Sequence, residues 1–249
     1  MFVFIDKIKI EYELKKASET TLVFLHGYGG NLKNFEFFSN KFYEFGFSTL
    51  NINLTDYGFK DLNNNSTIYT FSNIVFKLLK RLKIKNTILI GHSFGGRISI
   101  ILSSIYKNMG VNFNKLILVD SAGIKPKFSI KKSFLVAKYK FSKMLVKHKI
   151  LNANYLKKFG STEYKTLPSN LKQIFVNIVN EDLTYLLTKI KLKTLIVWGK
   201  KDKDTPLYMA KILNKKIKNS SLKILDAGHY SYLEEKEKFI YLTKSFLKI

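Results

Sequence analysis

Short apolar runs alternate along the chain with longer stretches in which apolar residues recur every three or four positions. The short runs are rich in β-branched residues and predict buried strands, whereas the longer spacing predicts helices with one apolar face. Such alternation is typical of an α/β protein with a mostly parallel central sheet flanked by helices. The predicted strands are residues 21–25, 48–53, 87–90, 115–119, 193–197 and 221–225, with a further strand in residues 1–10. The predicted helices are residues 32–45, 68–82, 96–107, 206–214 and 233–247.

The alternation stops between residues 124 and 187, a stretch rich in lysine and aromatic residues. Within it, residues 134–146 and 171–179 keep helical spacing. We therefore expect residues 1–123 and 188–249 to form the core, and residues 124–187 to form a helical cap (lid) inserted between two strands. The alternative is a pair of ordinary surface helices that belong to a slightly larger core.

Length and composition narrow the class of protein. The 249 residues suffice for one α/β domain with an inserted subdomain, and no cysteine is present to form disulfides, thiolate nucleophiles or thiolate metal ligands. No uncharged apolar run reaches the roughly 18 residues of a membrane span. The alternating N-terminus lacks the pattern of a signal peptide. We therefore expect a cytoplasmic location.

The chain carries a formal net charge of +25, from 43 lysine and arginine residues against 18 acidic ones. Only Arg81 and Arg97 are arginines, and the lysines are spread through every segment. A protein that binds nucleic acid clusters its cations and uses arginine for bidentate phosphate contacts, so we expect a solvated basic surface and no nucleic-acid partner. The densest basic stretch, residues 125–149, leaves an alternative open, a basic amphipathic helix that touches a membrane surface.

A Gly-x-Ser-x-Gly segment lies where a predicted strand meets a predicted helix. Residues 91–95 read Gly-His-Ser-Phe-Gly and follow the apolar run at 87–90. In a nucleophile elbow a tight turn lifts the serine Oγ off the sheet, and the glycines let strand and helix approach closely. The pattern predicts that Ser93 is a nucleophile.

A nucleophilic serine needs a base that accepts its proton. The chain has four histidines. His92 is expected to point away from the reaction centre, and His26 and His148 lie in other segments. His229 follows the last predicted strand directly and is therefore the candidate base.

The base in turn needs a carboxylate that orients it, and in this order of elements the carboxylate lies between Ser93 and His229. Asp202, in the loop after a predicted strand, is the first candidate. Asp204 in the same loop and Asp120 at the end of the preceding strand remain alternatives.

Two backbone N–H groups must converge on the oxyanion that forms during attack. Phe94, directly after the nucleophile, supplies one, and the loop at residues 26–30 (His-Gly-Tyr-Gly-Gly) supplies the other, from Tyr28. This loop lacks the spacing of a phosphate-binding glycine loop, so a nucleotide role is not expected. We expect Tyr28, Phe94 and Tyr230 to contact the substrate.

Four segments in this order resemble the α/β-hydrolase superfamily along nearly the whole chain. They are residues 26–30, 91–96, 198–206 and 227–235. The resemblance implies an α/β-hydrolase fold with an inserted helical cap, and it is closest to lidded bacterial serine hydrolases that resemble meta-cleavage C–C hydrolases and carboxylesterases. The site residues that it implies are the nucleophile Ser93, the acid Asp202, the base His229, and the oxyanion donors Tyr28 and Phe94. Residues 53–60 depart from the family, since they lack the proline and the full glycine pattern of the turn that shapes the pocket edge.

A serine at the elbow implies, within this superfamily, hydrolysis of small carboxylic esters or thioesters through an acyl-enzyme. The expected partner is a small-molecule acyl substrate, and no metal or organic cofactor is implied. One alternative is a carbon–carbon bond hydrolase of vinylogous diketones. Such enzymes hold an acidic substrate with an arginine, and Arg97 is the candidate, unless it is a residue of the helix surface. A further alternative is a catalytically silent hydrolase-fold protein that binds a ligand.

Overall fold

The computed structural model describes residues 1–54, 62, 65–106, 109–126, 130–148, 150–152, 155 and 169–249. Its strands are β1 (Phe2–Ile5), β2 (Ile8–Lys15), β3 (Thr20–Leu25), β4 (Ser48–Ile52), β5 (Asn86–His92), β6 (Asn112–Val119), β7 (Lys193–Gly199) and β8 (Ser220–Leu225). Within the described residues they form one sheet in the order β1-β2-β4-β3-β5-β6-β7-β8. The β1–β2 and β2–β4 pairs are antiparallel, and the pairs from β4 through β8 are parallel. The carboxyl ends of the parallel strands therefore meet at one edge of the sheet, where α/β proteins bind their ligands.

Helices cover both faces of the sheet. They are α1 (Lys33–Glu44), α2 (Ile68–Arg81), α3 (Phe94–Ile105), α4 (Ile130–Lys147), α5 (Ser169–Asn180), a 3-10 helix (Thr184–Lys189), α6 (Tyr208–Lys216), α7 (Ser231–Glu234) and α8 (Lys236–Leu247). Apolar side chains of α1 and α8 pack on one face, and those of α2, α3 and α6 pack on the other. Because helices cover both faces of the sheet, successive residues of its parallel strands are apolar and the strands form continuous apolar runs in the sequence.

Strand β3 illustrates how the sheet separates its two cores. Leu22 and Phe24 belong to the buried cluster that includes α1 and α8. Val23 and Leu25 belong to the cluster that includes α2 and α3. All four side chains are fully buried, because successive residues of a strand point to opposite faces and both faces are covered.

The six strands predicted from residue 21 onward are confirmed. The single strand predicted over residues 1–10 is wrong, because the chain there forms a hairpin in which Ile5 pairs with Ile8. Asp6 and Lys7 make the turn with φ angles of 48° and 68°. Two consecutive left-handed residues are the geometry of a tight hairpin turn, which usually carries Asn-Gly or Asp-Gly. The Asp-Lys pair lacks that signal, so the apolar alternation runs through the turn unbroken.

Between β6 and β7 the described residues contain α4, α5 and the 3-10 helix. Ile174 and Ile178 of α5 are buried in the same cluster as α2 and α3, and so are Leu186 and Leu187 of the 3-10 helix. The second half of this segment therefore packs directly on the rest of the protein. Of the basic stretch 125–149, residues 127–129 and 149 lie outside the described residues, as does most of the unusual turn at 53–60. No helix within the described ranges combines the length and apolar character needed to cross a membrane.

Candidate active site

Ser93 occupies a sharp turn between β5 and α3. Its backbone has φ 47° and ψ −108°, a conformation that a non-glycine residue adopts only when its surroundings hold it there. The chain is tightly packed on both sides of this turn. A Cβ atom on Gly95 would lie 1.9 Å from the carbonyl oxygen of Leu25, and one on Gly91 would lie 2.4 Å from Ser99 Oγ. Larger residues at these two positions would push strand and helix apart.

His229 and Asp202 meet at the carboxyl edge of the sheet, beyond the ends of β8 and β7. Nδ1 of His229 lies 2.8 Å from Oδ2 of Asp202, and both side chains are largely buried. Because Nδ1 donates its proton to the carboxylate, Nε2 keeps a lone pair. This arrangement provides a base whose tautomer and orientation are both set by the carboxylate.

The Asp202 carboxylate is fully satisfied by hydrogen bonds. Its Oδ1 accepts from the backbone N–H groups of Asp204 at 2.8 Å and Thr205 at 2.9 Å. Its Oδ2 accepts from the Thr205 hydroxyl at 2.6 Å in addition to His229. Four donors thus fill the acceptor sites of one carboxylate and hold it in place.

The charges of this pair shift both pKa values. Burial alone would lower the pKa of His229, but the hydrogen bond to Asp202 and its negative charge outweigh burial, and the pKa lies above its ordinary value. Burial alone would raise the pKa of Asp202, but hydrogen bonds from His229 and Thr205 hold it below its ordinary value. Asp202 is therefore ionised wherever His229 titrates.

The same cluster is the one group of three metal-ligating side chains found among the described residues. Asp202, Asp204 and His229 each offer a ligand atom, and these atoms lie within 4.8 Å of one another. A metal ion there would have to displace the hydrogen bonds that Asp202 already accepts. The donor set is therefore better matched to the carboxylate–histidine pair than to a cation.

The two other candidate acids have different surroundings. Asp204 is exposed, and its backbone N–H supports Asp202. Asp120 is buried, with one oxygen 2.7 Å from the Gly199 N–H and the other accepting from the Ser231 N–H at 3.0 Å and the Ser231 hydroxyl at 2.6 Å. Burial raises its pKa to about 7 against these hydrogen bonds. Asp120 thus ties together the loops that follow β6, β7 and β8, and it forms no hydrogen bond with His229.

The expected oxyanion donors lie on two loops that are held together. The Gly95 N–H donates to the His26 carbonyl at 3.1 Å, which fastens the loop after β3 to the elbow. The Tyr28 ring packs edge-on against Phe94 at 5.5 Å between centroids. Phe94 is the first residue of α3, where backbone N–H groups have no acceptor within the helix. The geometry thus leaves the Phe94 N–H available to a ligand beside Ser93.

The other histidines are placed away from this role. His26 is buried and its Nε2 accepts the Leu54 N–H at 2.9 Å, so it braces the loop after β4. His148 follows the end of α4 and is exposed.

His92 takes a role that the sequence did not predict. Its Nε2–H donates to the carbonyl oxygen of His229 at 2.8 Å. The His92 side chain is therefore turned toward the loop after β8, whereas we expected it to point away from the reaction centre. Its Nδ1 faces Gly27, where a Cβ would lie 2.7 Å away. Burial lowers the pKa of His92 to about 3, so the ring stays neutral beside His229.

The structure contradicts one of the two interpretations of Arg97. It is 4 % exposed, so the interpretation as a surface residue of the helix is wrong. Its guanidinium donates to the carbonyl oxygens of Glu181 at 2.7 Å and Val179 at 3.1 Å, at the C-terminal end of α5. Arg97 thus anchors the C-terminal end of α5. A cation is stabilising there, because the negative end of the helix dipole and the last carbonyl groups face it. These bonds use one N–H of each terminal guanidinium nitrogen.

A groove of about 410 Å³ adjoins the elbow. Residues 27–31 of the loop after β3 form one side, Lys33 and Asn34 at the start of α1 continue it, and Tyr230 and Leu233 face them. Above the loop, Phe175 of α5 packs edge-on against the Tyr28 ring at 4.9 Å. Of the residues expected to contact substrate, Tyr28 and Tyr230 line this groove and Phe94 does not.

The fold and this site define an α/β hydrolase. A family model described as alpha/beta hydrolase fold matches residues 20–147. The AB hydrolase superfamily protein YisY of Bacillus subtilis (strain 168) is 30 % identical over 246 residues, covering 90 % of each chain. The chain therefore belongs to the α/β-hydrolase family.

Two further relatives carry more specific names. A pimeloyl-[acyl-carrier protein] methyl ester esterase from Wigglesworthia glossinidia brevipalpis is 31 % identical over 191 residues, covering 66 % of this chain and 71 % of its own. The solved structure of an esterase from Exiguobacterium antarcticum superposes with a TM-score of 0.76 at 24 % identity, covering 100 % of this chain and 99 % of its own. The structural likeness shows that the two proteins share a fold along the whole of this chain.

Proposed function

We propose that this hydrolase is a serine enzyme that cleaves small carboxylic esters or thioesters through an acyl-enzyme intermediate. Ser93 is the nucleophile, His229 the general base and Asp202 the residue that orients it. The observation that carries the proposal is the 2.8 Å bond between His229 and Asp202, on a loop that is hydrogen-bonded to His92, the residue before Ser93. The names of the Wigglesworthia and Exiguobacterium relatives, both esterases, favour the same reaction class.

In the first half-reaction, Ser93 Oγ attacks the acyl carbon and its proton passes to Nε2 of His229. The N–H groups of Tyr28 and Phe94 bind the resulting oxyanion. When the intermediate collapses, the bond from the acyl carbon to the leaving oxygen or sulfur breaks, and the leaving group takes the proton from His229. The acyl group is then an ester of Ser93.

In the second half-reaction, a water molecule attacks the acyl-enzyme and gives a proton to His229. Collapse breaks the bond between Ser93 Oγ and the acyl carbon, and the proton returns to Oγ. The carboxylic acid leaves and the free enzyme is restored. Asp202 stabilises the positive charge of His229 in both halves without itself taking the proton.

We also propose that residues 124–187 form a cap over this site. Phe175 of α5 contacts the ring of Tyr28, so the helix reaches the loop that supplies an oxyanion donor. Arg97, four residues after Ser93 on α3, binds the end of the same helix. These contacts hold α5 against the loop after β3 and against α3, and a cap in this position would set the room available to the acyl group.

The proposal is tested by hydrolysis of esters and thioesters of graded acyl length with wild type and Ser93→Ala. Loss of the Ser93 hydroxyl should reduce kcat by a factor of at least about 1,000. Ser104→Ala is the matched control, since Ser104 is a buried serine of the same helix whose hydroxyl bonds to the Ile100 carbonyl. Equal rates in wild type and Ser93→Ala would overturn the proposal.

A further inference from the structure

The groove beside the elbow borders both the nucleophile and the base of the proposed reaction. Its first wall is Gly27, which borders the nucleophile, since a Cβ there would lie 3.4 Å from Ser93 Cβ. Its opposite wall is Tyr230, whose ring lies 5.5 Å from the ring of His229. Because His229 must pass its proton to the departing atom, the leaving group lies on the His229 side of the acyl carbon. The groove continues outward from that side.

The described lining of the groove includes one lysine. Of the described residues that line it, only Lys33 is charged, and its side chain is exposed. None of the ion pairs between described residues involves Lys33. Lys33 is also the first residue of α1, and the first turn of this helix carries one acidic residue, Glu36, which opposes the positive end of the helix dipole.

The neighbouring polar groups are already paired with one another. Asn34 Oδ1 accepts the Asn31 N–H at 2.7 Å, and Asn31 Oδ1 accepts the Lys33 N–H at 2.9 Å. These bonds fix the loop and the start of α1. The Lys33 ammonium is therefore the group at this end of the groove that can meet a ligand's charge.

We propose that the preferred substrates carry an anionic substituent, a carboxylate or a phosphate, on the leaving group, and that Lys33 binds it in this groove. The inference rests on the proposed function. In this proposal Lys33 determines specificity, because its positive charge attracts an anionic group on the alcohol or thiol portion of the substrate.

The test compares acetyl thioesters of similar size that differ in the charge of the thiol portion. The neutral substrate is S-acetyl-3-mercaptopropionamide, and the anionic ones are S-acetyl-3-mercaptopropionate and S-acetyl-2-mercaptoethyl phosphate. Released thiol can be followed with a thiol reagent without background, because the protein has no cysteine. The readout is the ratio of kcat/KM for each anionic substrate to that for the neutral one.

Wild type should favour at least one anionic substrate by about twofold to fivefold at low ionic strength, the range expected of one exposed charge pair. The preference should shrink as added salt screens it. Lys33→Gln should bring the ratio close to one. The preferred anion, carboxylate or phosphate, is the one whose kcat/KM ratio changes more between wild type and Lys33→Gln.

Lys41→Gln is the matched control, since it removes the same charge from the same helix, about 12 Å farther along. It separates a local effect of Lys33 from the attraction of anions by the overall net charge of +25. Retention of the preference in Lys33→Gln, or equal loss in both variants, would overturn the inference while leaving the proposed function intact. If the protein hydrolysed none of the three thioesters, both proposals would be overturned for thioester substrates.

Discussion

His92 and His229 are joined by a hydrogen bond of 2.8 Å, from Nε2–H of the His92 ring to the backbone carbonyl of His229. The residue that precedes Ser93, the proposed nucleophile, thus holds the backbone of the proposed base. His92 can do this at any physiological pH, because burial lowers its pKa to about 3 and the ring remains a neutral donor. The elbow and the loop after β8 are therefore coupled directly, without passing through the reacting atoms.

This coupling predicts distinct effects for two replacements of His92. His92→Phe fills the space but removes the donor, and it should reduce kcat/KM by about fivefold to tenfold, the worth of one hydrogen bond. His92→Gln keeps an N–H donor at similar reach and should recover most of the activity. Steady-state kinetics on both variants, with thermal unfolding to verify the fold, give the comparison. Equal activity of the two variants would show that the hydrogen bond does not position His229.

The pKa of His229 sets the acid limb of the activity profile. Attack by Ser93 requires neutral His229, and its pKa is raised above the ordinary value of 6.5 by Asp202, against the effect of burial. The ratio kcat/KM should therefore rise with pH through a midpoint above 6.5 and be lost below it. A midpoint below 6.5 in the profile of the free enzyme would contradict this assignment.

Removing the Asp202 charge should reverse the direction of this pKa shift. In Asp202→Asn the lowering effect of burial acts without its main opponent, so the pKa of His229, followed by NMR titration, should fall below that of wild type. Asp204→Asn is the control, because the exposed Asp204 contributes a weaker effect of the same sign. If the pKa of His229 fell further in Asp204→Asn than in Asp202→Asn, the assignment of Asp202 as the orienting acid would be wrong.

Arg97 should stabilise the protein by binding the end of α5. Arg97→Met keeps much of the buried side-chain volume but leaves the Glu181 and Val179 carbonyls without this donor, which should lower the free energy of unfolding by about 1–3 kcal/mol. Arg81→Met is the control, since Arg81 is exposed in the last turn of α2. Urea unfolding measures both. Equal stability of the two variants would show that the Arg97 bonds contribute nothing.

Much of the fold was predictable because its strands are buried on both faces. Runs such as residues 87–90 and 193–197 are short and rich in β-branched residues, and a glycine follows each within two positions, which distinguishes them from helices. The N-terminal hairpin was missed because Asp6 and Lys7 adopt left-handed angles without a glycine to signal them. Strand alternation alone does not reveal where a chain reverses.

The site was predictable to the extent that local sequence encodes it. Gly91 and Gly95 mark the elbow because any Cβ there would collide with neighbouring atoms. The roles of His92 and Arg97 were not encoded locally, since their partners lie 137 and 84 positions away in the chain. Contacts at such separations are set by the packing of the loops and helices, and no spacing in one sequence reveals them.

The most direct test of the central claim, an activated Ser93, is the intact mass of the protein after treatment with a fluorophosphonate. Wild type and Ser104→Ala should each gain one phosphonyl group, and Ser93→Ala should gain none. An adduct that persists in Ser93→Ala, or no adduct on folded wild type, would contradict the account.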